Sequence, residues 1–371
     1  MAALAPAVAA VRNAVRRSLS DVRPAGSTGQ PAESAGLAHG PGPTGERRAG
    51  ERGAGVVAGE TVLVACSGGA DSLALAMAAR FVARRLGLRC GLVTVDHGLQ
   101  AGSDERAARL AEWARGQGFD PVDVRTVRVG TSGGPEAAAR EARYEALEAA
   151  AIEHGTVAVL LGHTRDDQAE TVLLALARGA GPRGVAGMRE RLVRRGILFL
   201  RPLLDVGRAE TRAACLADGL PVWEDPHNTD PAYARSRVRP LVEALGAGVV
   251  DNLARTARLI GADSAYLDEL AAEALEKALE HVEPSGAGGV PAGGAGEGAL
   301  VVGELARLAD PVRTRVLHAW ALRLGAPGGA LSHRHVAALD ALVVNWHGQG
   351  AVALPGGVSV ARAGRVLLAR R

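Results

Sequence analysis

Lysine is almost missing from this chain: Lys277 is the only one among 43 basic residues. It does not sit in a G-K-[ST] string, so the phosphate loop of kinases and GTPases is excluded. No dinucleotide-binding G-x-G-x-x-G follows the first apolar run either. Aromatic residues make up only 3%, although hydrophobic residues reach 47%, ample for a buried core. Ala, Gly, Leu, Arg and Val dominate, as expected of a GC-rich genome. The three cysteines, Cys66, Cys90 and Cys215, lie far apart and form no CxxC pair. Cys66 and Cys90 fall in apolar runs and read as small buried hydrophobes, which fits a reducing, cytosolic setting. No apolar run is long enough to span a membrane. The apolar start, Met1–Ala10, precedes Arg12, Arg16 and Arg17, the reverse of a secretory signal.

Charge is nearly balanced at +3. Seven arginines against four acids through Val56 account for all of it. Global charge therefore says little about a nucleic-acid partner. Local charge says more. Nine arginines face three acids from Arg178 to Cys215, and five face two from Tyr233 to Arg258. Each run reads either as a phosphate-contacting surface or as a solvated basic face.

What the chain does have is Ser67-Gly68-Gly69-Ala70-Asp71-Ser72, directly after the apolar run Thr61–Cys66. It reads as strand, glycine-rich turn and helix. Adjacent glycines let backbone N–H groups converge on a ligand, and the helix N-terminus behind them is electropositive. This is an anion cradle, most simply for pyrophosphate.

Around it the pattern alternates. Apolar runs at Thr61–Cys66, Leu88–Val95, Val122–Val129 and Val157–Leu161 predict strands. Helical stretches fall between them at Asp71–Leu86, Ser103–Gln117 and Pro135–His154. The expected fold is α/β, a doubly wound parallel sheet with Rossmann-like order, followed by helices and a smaller α+β domain. Phe199–Leu204 adds a short strand, and Val206–Gly219, Arg235–Ala244 and Val249–Leu279 add helices. The expected organisation is an N-terminal helix (stripe Val8, Val11, Val15, Leu19) and disordered linker over residues 1–55, then a nucleotide domain over 56–245. A helical connector follows at 246–283, a linker at 284–299 and a small domain at 300–371. In that last domain helices come first, then strands at Ala351–Leu354, Val358–Ala361 and Arg365–Ala369. No internal repeat is present.

Further motifs sit at the expected strand ends, where such sheets bind ligands. Asp96 and His97, in Val95-Asp96-His97-Gly98-Leu99, either line a ribose or adenine edge or serve as a local cap. His163-Thr164-Arg165-Asp166-Asp167-Gln168-Ala169-Glu170-Thr171 enters a helix, with Asp166, Asp167 and Glu170 as neighbours. One acid there stabilises the helix dipole; three together can also hold Mg²⁺ or an ammonium group. His163 either neutralises phosphate or is a core-edge histidine. Arg178 opens a basic glycine-rich loop, Arg178–Met188, as a phosphate clamp or a C-terminal helix cation. Arg235, Arg237 and Arg239 follow Asp225-Pro226-His227-Asn228-Thr229-Asp230 and suit RNA backbone contact.

SGGADS, VDHGL, the segment Glu141–Leu147, GHTRDDQAET, ARGAGPRGVAGM, Arg201–Leu204 and the Asp225–Arg239 stretch occur here in order. Over roughly Val56 to Leu245 the chain resembles the tRNA(Ile)-lysidine synthase family of PP-loop ATP pyrophosphatases, with weaker similarity beyond. The resemblance implies a ligase. ATP adenylates the C2 oxygen of cytidine 34 in a tRNA(Ile) with a CAU anticodon. The amine of free L-lysine displaces AMP to give lysidine. It implies Ser67, Gly68, Gly69, Ala70, Asp71 and Ser72 as the pyrophosphate loop, with Asp96 and His97 along the nucleotide. Asp71 and Asp167 would hold Mg²⁺. Asp166, Asp167 and Glu170 would bind lysine, one of them accepting its proton. Arg178 and His163 would counter phosphate charge. The family precedent also implies a homodimer. Ser236 stands where the family pattern has Asn, and the long N-terminal linker is not a family feature. Other PP-loop enzymes fit less well. Small-molecule synthetases lack DDQAET with an Arg-Gly loop, and thiolating tRNA enzymes need paired cysteines. A non-catalytic nucleotide- or RNA-binding protein would not need the intact acids.

Overall fold

A computed structural model describes residues 4–20, 22, 59–98, 100, 102–130, 134–225, 234–280 and 298–370. The expected linkers lie almost wholly outside these residues, as do Leu99 and the stretch 226–233. The chain divides into two compact units, residues 1–258 and 259–371.

The first unit is built on a six-stranded sheet. Its strands are β1 (Thr61–Ala65), β2 (Arg89–Asp96), β3 (Val122–Thr126), β4 (Ala158–Leu161), β5 (Arg191–Arg194) and β6 (Ile197–Leu200). Their spatial order is β3-β2-β1-β4-β6-β5. All pairings are parallel except β5 with β6. The central strands are apolar on both faces because helices cover both sides. Helices α2 (Ala70–Arg85), α3 (Ser103–Gly116) and α4 (Pro135–Glu153) cross between the strands, as the alternation predicts. The sheet grows outward from β1 in one direction and then resumes at β4 on β1's other side. That reversal opens a crevice between the β1–α2 and β4–α5 turns, where α5 is Arg165–Ala177.

The sequence reading missed the β5–β6 hairpin as a pair. Its turn is Arg195-Gly196, both with positive φ, 48° and 80°. The Gly is the usual hairpin signal, but arginine in the left-handed position is not. Short α6 (Pro182–Val185) precedes the hairpin. Helices α7 (Arg208–Ala217), α8 (Ala234–Leu245) and α9 (Ala247–Glu280) follow it.

The N-terminal helix is α1 (Pro6–Ser20), and its stripe Val8, Val11, Val15 and Leu19 is buried in the main core, against α2 and α7. The apolar stripe was legible, but its partners lie far away in sequence. Arg12 stacks over Phe81 at 3.8 Å. Helix α2 is rich in alanine and buried on several faces, which lets its neighbours approach closely.

The second unit has an antiparallel sheet ordered β7-β10-β9-β8, with β7 (Ala299–Val301), β8 (Val352–Ala353), β9 (Ser359–Ala363) and β10 (Val366–Arg370). Helices α10 (Val302–Ala306), α11 (Asp310–Arg323) and α12 (His333–Val344) complete it. Trp320, Leu317, Leu339, Leu342, Val360 and Leu367 form its core. Strand β7 was not expected, because three residues preceding a helix carry no period-2 signal. Buried Arg313 is held by Asp340 at 2.6 Å and the Leu308 carbonyl at 2.7 Å.

Candidate active site

The crevice of the first unit is a cleft of about 1200 Å³ lined by Ser67–Ser72, Asp96, His97, His163 and Asp167. At its base, Gly68 has φ +84° and Gly69 caps α2 without a side chain. The Ser72 hydroxyl donates to the Gly69 carbonyl at 2.9 Å and accepts from the Ser67 N–H at 3.2 Å. The loop is thereby fixed before any ligand arrives. Gly162 ends β4 against it: a Cβ there would lie 3.2 Å from the backbone of Asp71 and Ser72. The Trp223 N–H donates to the Gly68 carbonyl at 3.0 Å, and Arg106 stacks over the Trp223 ring at 4.6 Å.

Acids gather on one side. Thr164 caps α5, and one oxygen of Asp167 accepts from its N–H at 2.7 Å and its hydroxyl at 2.9 Å. The other oxygen faces Arg208 at 3.1 Å. Glu170 is fully buried; its Oε1 accepts from Arg208 at 3.0 Å and Arg239 at 3.2 Å, while Oε2 has no partner. Asp71 accepts a hydrogen bond from the Thr211 hydroxyl and lies 4.0 Å from Arg208. Burial pushes the Asp71 carboxyl up to about 6; Thr211 opposes this and Asp167 adds to it. For Arg208, burial disfavours the charge, but Asp167 and Glu170 outweigh it and the guanidinium is held above its ordinary range.

Arg143 and Arg235 line the cleft and, with Arg140 and Arg201, lie close enough to His163 to act on it. Among the described residues none of the four makes an ion pair. Burial, then these arginines, drive the His163 imidazole well below its ordinary range. Burial and Arg143 do the same, less strongly, to His97. The Nδ1 atoms of both histidines and Nε of Arg143 are buried without partners. Arg201 donates to the Tyr144 hydroxyl at 3.0 Å and the Arg189 carbonyl at 2.5 Å.

A family model described as PP-loop domain matches residues 48–245, and one described as TilS substrate binding domain matches residues 300–367. The tRNA(Ile)-lysidine synthase of Salinispora arenicola is 57% identical over 375 residues, covering 99% of this chain and 97% of its own. This chain belongs to the tRNA(Ile)-lysidine synthase family. The family member of Streptomyces coelicolor is 51% identical over 99% of both chains. That of Leifsonia xyli is 48% identical over 80% of this chain and 86% of its own.

Against the family pattern, the structure brings together the SGGADS loop, Asp96, His97, His163 and Asp167. It does not bring every expected residue to the cleft. Asp166 turns away and accepts the Arg208 backbone N–H at 2.7 Å, capping α7. Glu170 lies beneath Arg208 rather than on the cleft surface. Arg178 is exposed at the far end of α5 and does not line the cleft. Between eight and twelve residues of helix carry it about 12–18 Å from the acids. Arg178→Ala is therefore expected to leave the KM for ATP within about twofold, measured by initial rates. The family's Gln168 has a structural role here, clamping Met188 through two bonds of 2.7 and 3.0 Å. Burial and the neighbouring arginines disfavour the cationic form of His163 that was expected to counter phosphate.

Arg208, Thr211, Arg143 and Trp223 were not singled out. Arg143 lies inside the Glu141–Leu147 segment, and Trp223 is one of four tryptophans in an aromatic-poor chain. Both left a faint signal. Arg208 and Thr211 left none.

Proposed function

We propose that this protein joins L-lysine to C2 of cytidine 34 in a tRNA(Ile) bearing CAU, at the expense of ATP. The observation that carries the reading is one cleft holding both a preformed pyrophosphate loop and buried carboxylates, in a chain 57% identical to a protein of that name.

In the first step the cytosine O2 attacks the α-phosphorus, the bond to the β-phosphate oxygen breaks, and pyrophosphate leaves. Ser67, Gly68, Gly69 and Ser72 would hold the departing group through backbone N–H and hydroxyl donors aimed at developing charge. Arg143 and Arg235 in the cleft would counter charge at the transferring phosphate. His163 would donate or accept a hydrogen bond there. Asp96 already accepts the Gly98 N–H at 2.9 Å, which fixes the strand end along which the nucleotide would lie.

In the second step the lysine amine attacks C2, the C2–O2 bond breaks, and AMP leaves carrying that oxygen. The amine must first lose a proton, although its ordinary pKa is near ~10.4. Asp71, raised to about 6, is the best-matched acceptor among the cleft carboxylates. Asp167 would orient the ammonium before transfer. Asp71 and Asp167 both reach the cleft, and during adenylation, before they serve the lysine step, they suit Mg²⁺ together with phosphate oxygens, since that ion keeps few protein ligands. Bound there it would supply charge neutralisation of the polyphosphate.

Incubating the protein with ATP, labelled lysine and a CAU tRNA tests this. Stoichiometric AMP release and label at C34, absent from a CAU methionine tRNA, is the expected result. Lysine-independent AMP release, or no label on the tRNA, would sink it.

A further inference from the structure

The carboxylates that would receive the lysine ammonium are already seated on a cation. The Arg208 guanidinium lies 3.0 Å from Glu170, 3.1 Å from Asp167 and 4.0 Å from Asp71. With Arg239 on Glu170, two positive charges face three negative ones, leaving room for one further cation only if repulsion from Arg208 is relieved. Arg208 also lines the cleft together with the pyrophosphate loop. Its backbone is fixed independently of its side chain. The N–H bonds Asp166 at 2.7 Å, and the residue is the first of helix α7. The side chain can thus pivot on a stationary helix end.

We infer that Arg208 is a positioning residue that couples the nucleotide and lysine half-sites. This rests on the functional reading above. In the free protein Arg208 occupies the ammonium seat. A triphosphate in the Ser67–Ser72 loop offers it stronger anionic partners, and the guanidinium turns toward them. The carboxylates are vacated as the electrophile is assembled. Lysine then binds after ATP, and its amine is not held beside an empty loop.

Linkage makes the effect reciprocal: lysine tightens ATP by the factor by which ATP tightens lysine. The experiment titrates the full chain with α,β-methylene ATP, with and without saturating lysine, by calorimetry. The wild-type protein is expected to bind the analogue at least about fivefold more tightly with lysine present. Arg208→Gln is expected to bring that factor to about one and to bind lysine alone more tightly than wild type. Arg208→Lys is expected to retain part of the coupling. Arg239→Gln, which perturbs the same Glu170, should leave the factor unchanged, whereas a merely structural role would make the two glutamine variants alike. A wild-type factor of one, or full coupling in Arg208→Gln, overturns the inference. If lysine is still transferred to tRNA in that case, the functional reading stands; if it is not, that reading has failed first.

Discussion

Arg143→Leu is expected to slow adenylation by about 10²–10³-fold while leaving the protein as stable as wild type, or more so. The activity loss follows from preorganised charge: removing one donor aimed at a developing oxyanion costs that much in comparable sites. The stability outcome is less intuitive. Arg143 sits in the cleft wall with Nε unpartnered. Burial opposes its charge, and Arg140, Arg235 and Arg201 add repulsion that Tyr144 only partly offsets. In the absence of an anion the charge is a burden on the fold, so an apolar side chain of similar volume relieves it. Single-turnover AMP formation and thermal unfolding on the same preparation check both halves. A falling midpoint with intact chemistry would mean that Arg143 is structural.

Asp71→Asn is the second large effect, and its signature lies in pH. The folded carboxyl titrates near 6, above its ordinary 3.8. A raised carboxylate pKa means that the folded state binds the proton more tightly than the unfolded chain. The ionised form therefore lowers stability, beginning above pH ~4 and reaching its full cost above pH ~6. A neutral Asn removes that cost. The variant should gain on the order of 2–3 kcal/mol at pH 7.5, or roughly 5 °C in midpoint, with the difference vanishing toward pH 4. Ligase activity should fall at least about 10²-fold, because Asn accepts no proton. Melting curves of both proteins across pH 4–8 provide the readout. A pH-independent difference would remove Asp71 from the titrating groups.

The sheet and its crossovers were legible because apolar runs and helical periods alternate cleanly from Thr61 to Leu161. The pyrophosphate loop was legible because its glycines and serines are contiguous. The cation that organises the acids was not. Arg208 lies in a run of nine arginines that reads equally as a phosphate-contacting or a solvated face, and Asp71 is 137 positions away from it. Arg178 misled for the opposite reason. It is near the acids in sequence, but a straight helix separates them in space. Asp166 and Asp167 were indistinguishable by composition. Adjacent helical positions point in different directions, so one caps α7 and the other faces the cleft. The histidines were ambiguous because their charge is set first by burial and then by arginines distant in sequence, neither of which a local window contains.

Helix α1 contributes no group to the cleft, yet it rests on two helices that do. Helix α2 starts with Ala70 and Asp71, and α7 starts with Arg208 and carries Thr211. The buried stripe from Val8 to Leu19 bridges them like a splint. The spacing between the acid at the pyrophosphate loop and the arginine that guards it is thus partly set by an aliphatic seam at the start of the chain. Wear along that seam would register as lost coordination between two substrates before it registered as lost fold.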